Sequence, residues 1–311
     1  MRIAVTGSLA TDHLMTFPGR FTDQLLADRL DHISLSFLVD TLEIRAGGAA
    51  ADLASGLARL GHRPLLVGAV GADFAPYGQR LSALGVDLSG VQVSPTRPTA
   101  RLLRTTDRDG HQIASFHAGA MTEAAGIDLA AVLRRAGGAG LVLIGADDPA
   151  AMLRHTRACR THGIRFAADP AQQLTRLDGT LIRELVDGAD HLFTDAHDHA
   201  LLLAKTGWTR EDVLRRVGVW VTTLGEKGIR VERAHDPVLE IPAVPDTEAA
   251  DPTGTGAAFR AGYLAALAAG EDTVRCARSG SAPAAQTLSR LADPARLHAL
   301  TRAAYGTEEH R

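Results

Sequence analysis

Short apolar or β-branched runs alternate with longer stretches of helical periodicity along this chain. The pattern predicts strands at residues 3–5, 65–70, 140–144, 164–168, 191–194, 219–224 and 229–231. Between and after them it predicts helices at residues 49–60, 78–84, 148–162 and 256–269. Alternation of this kind is typical of an α/β protein with a doubly wound, mostly parallel sheet flanked by helices.

Two segments, residues 12–45 and 97–121, depart from the alternation. The second contains two strand-like runs, 99–103 and 112–116, joined by Asp109-Gly110, which favours a hairpin turn. We interpret both segments as a small β lid on a core made of residues 1–11, 46–96 and 122–311, all within one domain. A lid over a cleft is the functional interpretation; an edge sheet or a dimer surface is the structural one, and the two are compatible.

Composition narrows the function classes. The 311 residues are 45% hydrophobic and 22% charged with a net charge of -3, so we expect no nucleic-acid partner. No apolar stretch reaches the ~18 residues of a membrane span, so we expect no membrane partner. The two cysteines, Cys159 and Cys276, lack metal-type spacing and fit buried thiols in a cytoplasmic protein.

The most informative motif is residues 251–262, with the sequence DPTGTGAAFRAG. Its glycines allow a tight turn at the start of a long helix, where unpaired backbone N–H groups and the helix dipole favour an anion. A packing turn is the alternative for a lone Gly-x-Gly. The extended motif predicts an anion hole formed by Thr253, Gly254, Thr255 and Gly256.

This motif resembles the second signature of the ribokinase (PfkB) family of carbohydrate and nucleoside kinases, Asp-Thr-x-Gly-x-Gly-Asp. Gly47-Gly48 before an Ala-rich helix resembles the first signature. Segments 21–26, 32–37, 112–116 and 168–174 resemble actinobacterial adenosine kinase, and the resemblance runs from residue 1 to about residue 278. It implies a ribokinase-like fold, ATP-dependent 5'-phosphorylation of adenosine with ATP and Mg²⁺ as cofactors, and a homodimer formed through the lid.

The resemblance also implies that a nucleoside or nucleotide lies between core and lid. Asp12 and the Gly47-Gly48 backbone would hold ribose hydroxyls, since a carboxylate accepts two hydrogen bonds from a diol. Without the family, Asp12 is equally a turn residue, and Gln172-Gln173 a solvated loop. The full set of implied substrate-binding residues is Ser8, Asp12, Gly47, Gly48, Asp52, Phe116, His117, Gln172 and Gln173.

Residues 222–228 resemble the family's nucleotide-binding strand and turn, although a plain hairpin turn explains the glycines equally well. The nucleotide-binding candidates are Thr223, Gly225, Asp195 and Asp198, and no residue is assigned as a metal ligand.

The catalytic pattern breaks at Ala257, which occupies the place of the family's proton-accepting Asp. Asp52 stands where the family has a sugar-contacting Asn, and Asp195-x-x-Asp198 replaces Asn-x-x-Glu. The chain's late region also departs from the pattern, with Pro283 and Asp293-Pro294.

Three hypotheses follow. The first is an enzyme impaired in phosphorylation that performs ATP-independent chemistry on the same ligand, such as glycosidic cleavage by Asp12, Asp52 and His117. The second is a pseudokinase that binds a nucleoside without turnover. The third is a working adenosine kinase inactivated by an introduced Ala257.

Overall fold

A nine-stranded sheet forms the centre of the computed structural model, which describes residues 1–24, 35–243 and 255–281. Its strand order is β13-β12-β11-β10-β9-β8-β1-β4-β5, and within this sheet only β12 runs opposite to the others. The bounds are Ile3–Thr6 (β1), Leu65–Gly71 (β4), Asp87–Ser94 (β5), Leu141–Ile144 (β8), Phe166–Ala168 (β9), His191–Asp195 (β10), Val219–Thr223 (β11), Ile229–Glu232 (β12) and Leu239–Ile241 (β13).

Helices cover both faces of this sheet, which explains why its inner strands are apolar along their whole length. One core cluster joins side chains of α1, α2, α8 and α9 to one sheet face, and a second joins α3 to α7 to the other. The bounds are Ala49–Arg59 (α1), Ala75–Ala83 (α2), Leu129–Arg135 (α3), Pro149–Thr161 (α4), Gly179–Val186 (α5), Ala196–Thr206 (α6), Arg210–Leu214 (α7), Thr255–Ala268 (α8) and Thr273–Ser281 (α9).

The sheet reverses its winding direction between β1 and β8. From β1 the chain proceeds to β4 and β5 on one side, and from β8 it proceeds through β9 and β10 on the other. Ligands of doubly wound proteins bind beyond the carboxyl ends of the strands at such a switch point. The predicted fold class is therefore confirmed, although the periodicity analysis missed β5, a mixed polar and apolar strand at the edge of the sheet.

A second sheet, of order β3-β2-β6-β7, is built from Ala10–Thr16 (β2), Thr41–Gly47 (β3), Ala100–Thr106 (β6) and Gln112–His117 (β7). The predicted turn at Asp109-Gly110 joins β6 to the antiparallel β7. Asp107 organises this turn, because its buried carboxylate accepts hydrogen bonds from the backbone N–H groups of Phe21, Asp109 and His111.

None of the helices formed by the described residues is long and apolar enough to cross a membrane. Both cysteines are free and buried, as expected.

Several sequence-based predictions lie outside the described residues. They concern Leu25, Leu26, His32, Ile33, Ser34, Thr253, Gly254, Pro283, Asp293 and Pro294, and the side chain of Thr255.

Candidate active site

The paired glycines lie where the small sheet meets the core. A Cβ atom on Gly47 would lie 2.6 Å from Asp12 Oδ1, so the Asp12 carboxylate lies directly over that backbone. Gly48 has φ +99°, and a Cβ there would lie 2.5 Å from the Ser8 carbonyl oxygen. Only glycine combines this conformation with so close an approach, after which α1 begins at Ala49. The glycine pair thus brings Asp12 to the first turn of α1.

Asp52 projects from that first turn, close enough to Asp12 for their charges to interact. Its side chain is accessible to solvent, yet the protein atoms crowded around it limit hydration. This desolvation and the Asp12 charge raise the pKa of Asp52 to about 7. Burial also raises the pKa of Asp12, opposed by Arg104 and Arg45. The predicted pair of carboxyl groups is therefore brought together.

Strand register decides which lid residues face this pair. Asp12 lies opposite Leu102, and Leu102 lies opposite Phe116, so the three share one face of the small sheet. Ala10 and Ala100, on the same face, are buried against the core. Phe116 is 48% exposed on this face, leaving its ring available to a ligand.

His117 does not join the site, contrary to the sequence-based expectation. Successive residues of a strand point to opposite faces, so His117 lies with Arg101 on the outer face, away from Asp12 and Phe116. The expectation treated neighbours in sequence as neighbours in space, which a strand does not allow. Within the described residues, the acid/base set of Asp12, Asp52 and His117 is therefore not assembled.

The other substrate-binding candidates lie at the carboxyl ends of β1 and β9. Ser8 Oγ accepts a hydrogen bond of 3.3 Å from Ala49 N–H, so this side chain caps the start of α1. Gln172 is exposed, whereas Gln173 is 5% exposed and its Oε1 atom has no hydrogen-bond partner among the described residues. Both glutamines lie on the short 3-10 helix Ala171–Thr175.

Ala257 lies half-buried in the first turn of α8 and supplies no proton acceptor. One turn further along, Arg260 donates a 2.7 Å hydrogen bond to Asp169 at the end of β9. A Cβ on Gly256 would lie 2.7 Å from Arg260 Nη1, so this glycine admits the guanidinium beside the helix start. The guanidinium of Arg260 therefore lies beside the positive end of the α8 dipole, with its charge paired to the Asp169 carboxylate.

Arg260 and Asp169 were not predicted as site residues. The i, i+4 spacing of Gly256 and Arg260 was the available signal, because it places them on one helix face. Their pairing with Asp169 depends on a contact across 91 residues, which local pattern does not reveal.

The nucleotide-binding candidates lie at the ends of two adjacent strands. Asp195, the last residue of β10, pairs in register with Thr223, the last residue of β11. Asp195 caps α6 by accepting a 2.7 Å hydrogen bond from Asp198 N–H. Burial, with the charges of Asp195 and Asp169, raises the pKa of Asp198 to about 6. Gly225 lies in the turn beyond β11 with φ +61°.

These carboxylates fit a cation bound mainly through phosphate oxygens. In the part of the chain that the structure describes, no group of three or more His, Cys, Asp and Glu side chains is arranged to hold a metal. Magnesium commonly takes one or two protein carboxylates and completes its shell with phosphate oxygens and water. Asp198 and Asp195 are the residues that would approach such an ion.

Comparison with known proteins identifies the family of this chain. The model of the pfkB family of carbohydrate kinases matches residues 9–294, so the chain belongs to that family. It is 33% identical to a nucleoside kinase of Methanothermobacter thermautotrophicus over 242 residues, which cover 76% of each chain.

Solved structures of a nucleoside kinase from Burkholderia thailandensis have the same fold. The complex with inosine has a TM-score of 0.78 at 32% identity and covers 98% of this chain and 99% of the other. The complex with ADP-inosine has a TM-score of 0.76 at 33% identity and covers 98% and 96%. The similarity is to nucleoside kinases of bacteria and archaea, a broader group than the actinobacterial adenosine kinase that the sequence resemblance suggests.

Proposed function

We propose that this protein binds a purine nucleoside and transfers phosphate from ATP to its 5'-hydroxyl, at a rate limited by Ala257. The observation that carries the proposal is that α1 and α8 of this pfkB-family fold pack against each other, with candidate binding residues near the start of each helix. Asp12 and Asp52 lie at the start of α1 beside Gly47-Gly48, and Arg260 lies near the start of α8. Adenosine and inosine are the candidate substrates, from the sequence resemblance and from the Burkholderia complex.

Each group has a defined task in this proposal. Asp12 and Asp52 hold the ribose hydroxyls, and the exposed ring of Phe116 packs on the base from the lid. MgATP supplies the phosphoryl group when bound. Arg260 and the N–H groups at the start of α8 stabilise the charge on the transferred group. The 5'-hydroxyl proton has no side-chain acceptor at position 257, so we expect slow transfer.

The test is to restore the missing carboxylate. Ala257→Asp should accelerate formation of the nucleoside 5'-monophosphate by about 10² to 10⁴-fold, the usual contribution of a positioned general base. Mass spectrometry of adenosine and inosine reactions, with and without ATP and Mg²⁺, measures this product. Ala257→Asn is the matched control, since it has a similar shape but takes no proton and should not accelerate the reaction.

Other products would identify the rival functions. Binding without monophosphate from either protein would indicate a nucleoside-binding module that does not turn over its ligand. Free base formed without ATP would indicate glycosidic cleavage. Failure of adenosine and inosine to bind in calorimetry would contradict the proposal.

We also propose that the protein forms a homodimer through the outer face of the small sheet, in a reducing cytoplasm where its thiols stay free. Large apolar side chains from three strands are exposed together on this face, where a monomer would leave them in water. We define the outer lid face as Leu42, Ile44, Leu103 and Ile113.

A further inference from the structure

Residues 171–177, which include the candidate base-binding residues Gln172 and Gln173, form a turn that their own sequence does not favour. Ala171 has φ +42°, a left-handed backbone conformation that is unfavourable for a residue with a Cβ atom. Backbone of this kind persists where surrounding contacts fix it, and it is common where a protein holds a ligand. We call residues 171–177 the glutamine segment.

Lys205, in the last turn of α6, fixes the end of the glutamine segment. Its Nζ atom donates hydrogen bonds to the carbonyl oxygens of Leu174 at 2.7 Å, Thr175 at 2.8 Å and Leu177 at 2.9 Å. An ammonium group has three N–H donors, so the segment takes all of them. Hydrogen bonds from a charged donor are stronger than those between neutral groups. The charge of Lys205 is therefore committed to this short stretch of backbone.

The start of the glutamine segment is fixed from α8. Asp169, two residues before the segment, accepts the 2.7 Å hydrogen bond from Arg260, and its backbone N–H donates to the carbonyl oxygen of Ile144 at 2.9 Å. The side chains of Leu174 and Leu177 are buried in the core on the α6 side of the sheet. Arg260 acts on the segment through Asp169, whereas Lys205 bonds to it directly.

We infer that Lys205 is a positioning residue for the nucleoside, because it holds the glutamine segment in the conformation in which Gln172 and Gln173 receive the base. The inference rests on the proposed function, since it concerns the same nucleoside site. Gln172 is exposed, and the nearly buried Gln173 has a side-chain oxygen with no hydrogen-bond partner in the part of the chain that the structure describes. The backbone that carries both amides is ordered before the ligand binds, which lowers the entropy cost of binding.

The experiment compares Lys205→Met with the unaltered protein by isothermal titration calorimetry of inosine and adenosine. Methionine keeps an unbranched apolar side chain but removes all three donors, so Ala171 can leave its left-handed conformation. The Kd of both nucleosides should rise about tenfold, because binding must then order the segment. The Kd of ATP with Mg²⁺ should not change, since Asp195 lies at the other end of α6, about 15 Å away along the helix.

Arg183→Met is the matched control. The Arg183 guanidinium donates a hydrogen bond of 3.0 Å to the carbonyl oxygen of Thr206, the residue after Lys205, so it joins α5 to α6 rather than α6 to the glutamine segment. Its loss should lower stability and leave the Kd of both nucleosides unchanged. Hydrogen–deuterium exchange of residues 171–177 should become faster in Lys205→Met and not in Arg183→Met.

Each outcome decides the inference. A rise in nucleoside Kd and faster exchange of the segment, in Lys205→Met alone and without a change in the Kd of ATP, support it. An unchanged nucleoside Kd in Lys205→Met, an equal rise in Arg183→Met, or an equal weakening of ATP overturns it and leaves the proposed nucleoside site in place.

If Lys205→Met fails to fold, exchange in the unaltered protein decides. Slow exchange of residues 171–177 without ligand supports the inference, and slow exchange only after a nucleoside is added overturns it. No binding of either nucleoside to the unaltered protein overturns both the inference and the proposed function.

Discussion

At the scale of single residues, the site is governed by which charges are paired. Arg260 and Asp169 form a nearly buried ion pair of 2.7 Å beside the start of α8, with side chains 14% and 10% exposed. Such a pair contributes little net stability, yet losing one partner leaves the other charge desolvated. The pair thus fixes the guanidinium next to Gly256, where an anion would bind.

Arg260→Met should destabilise the protein by about 3 kcal/mol at pH 7.5, because Asp169 is left buried and unpaired. Burial already raises the pKa of Asp169, and Arg260 opposes that rise. Removing Arg260 raises the folded-state pKa further above the unfolded value of ~3.9, so the folded state binds more protons than the unfolded state. The loss should therefore grow as pH rises above about 4 and be smaller at pH 4.5, as measured by urea unfolding.

The double variant Arg260→Met/Asp169→Asn provides the control for this linkage. It removes both charges, so its stability relative to the unaltered protein should depend less on pH and the loss should be smaller. An equal loss for Arg260→Met at pH 4.5 and pH 7.5 would contradict the assignment of the effect to Asp169.

At the scale of elements, the start of α6 has a structural role and a proposed binding role. Asp195 ends β10 and also caps α6 through the hydrogen bond from Asp198 N–H. The same carboxylate lies beside Thr223 at the edge where the nucleotide is proposed to bind. Replacement of the family's Asn by Asp at this position keeps the cap, because both side chains are good N-cap acceptors.

Asp195→Ala should lower stability by about 1 kcal/mol through loss of the cap, whereas Asp195→Asn should be close to neutral. Thermal unfolding of the two variants measures the difference. Equal destabilisation by Ala and Asn would show that the charge of Asp195, and not its cap, stabilises this region.

At the scale of the whole molecule, the small sheet separates two surfaces by strand register. One face carries Asp12 and Phe116 toward the core, and the other is the outer lid face. A shift of register by one residue would exchange the two sets, so the positions of site and proposed dimer surface are coupled. This coupling follows from the pleat of the strands alone.

Ile44→Glu should convert the proposed homodimer to a monomer, because it places a charge among the exposed apolar side chains of the outer lid face. Light scattering coupled to size exclusion measures the mass. Val238→Glu is the matched control, since Val238 is equally exposed but lies outside the small sheet and should leave the dimer intact. A monomeric mass for the unaltered protein would contradict the proposed assembly.

The sequence by itself determined the fold class and named the candidate site residues. Its alternating periodicities specify which segments become strands or helices, because apolar residues must face a core with the period of their element. The glycine pair at positions 47 and 48 is likewise recognisable in the sequence. The structure gives the reason for it: a Cβ atom would lie 2.6 Å from Asp12 at position 47 and 2.5 Å from Ser8 at position 48, where φ is +99°. The absence of a carboxylate at position 257 is visible in the sequence alone, because the residue there is alanine.

Only the tertiary structure decided which side chains meet. In the structure, His117 lies on the sheet face opposite to Asp12, and Arg260 is hydrogen-bonded to Asp169. The tertiary structure also placed Asp52 beside Asp12, where desolvation and a like charge raise the pKa of Asp52 to about 7. Pairings of this kind depend on distances between elements far apart in the chain and on the local hydration of each charge, and neither quantity is encoded in a local pattern of residues.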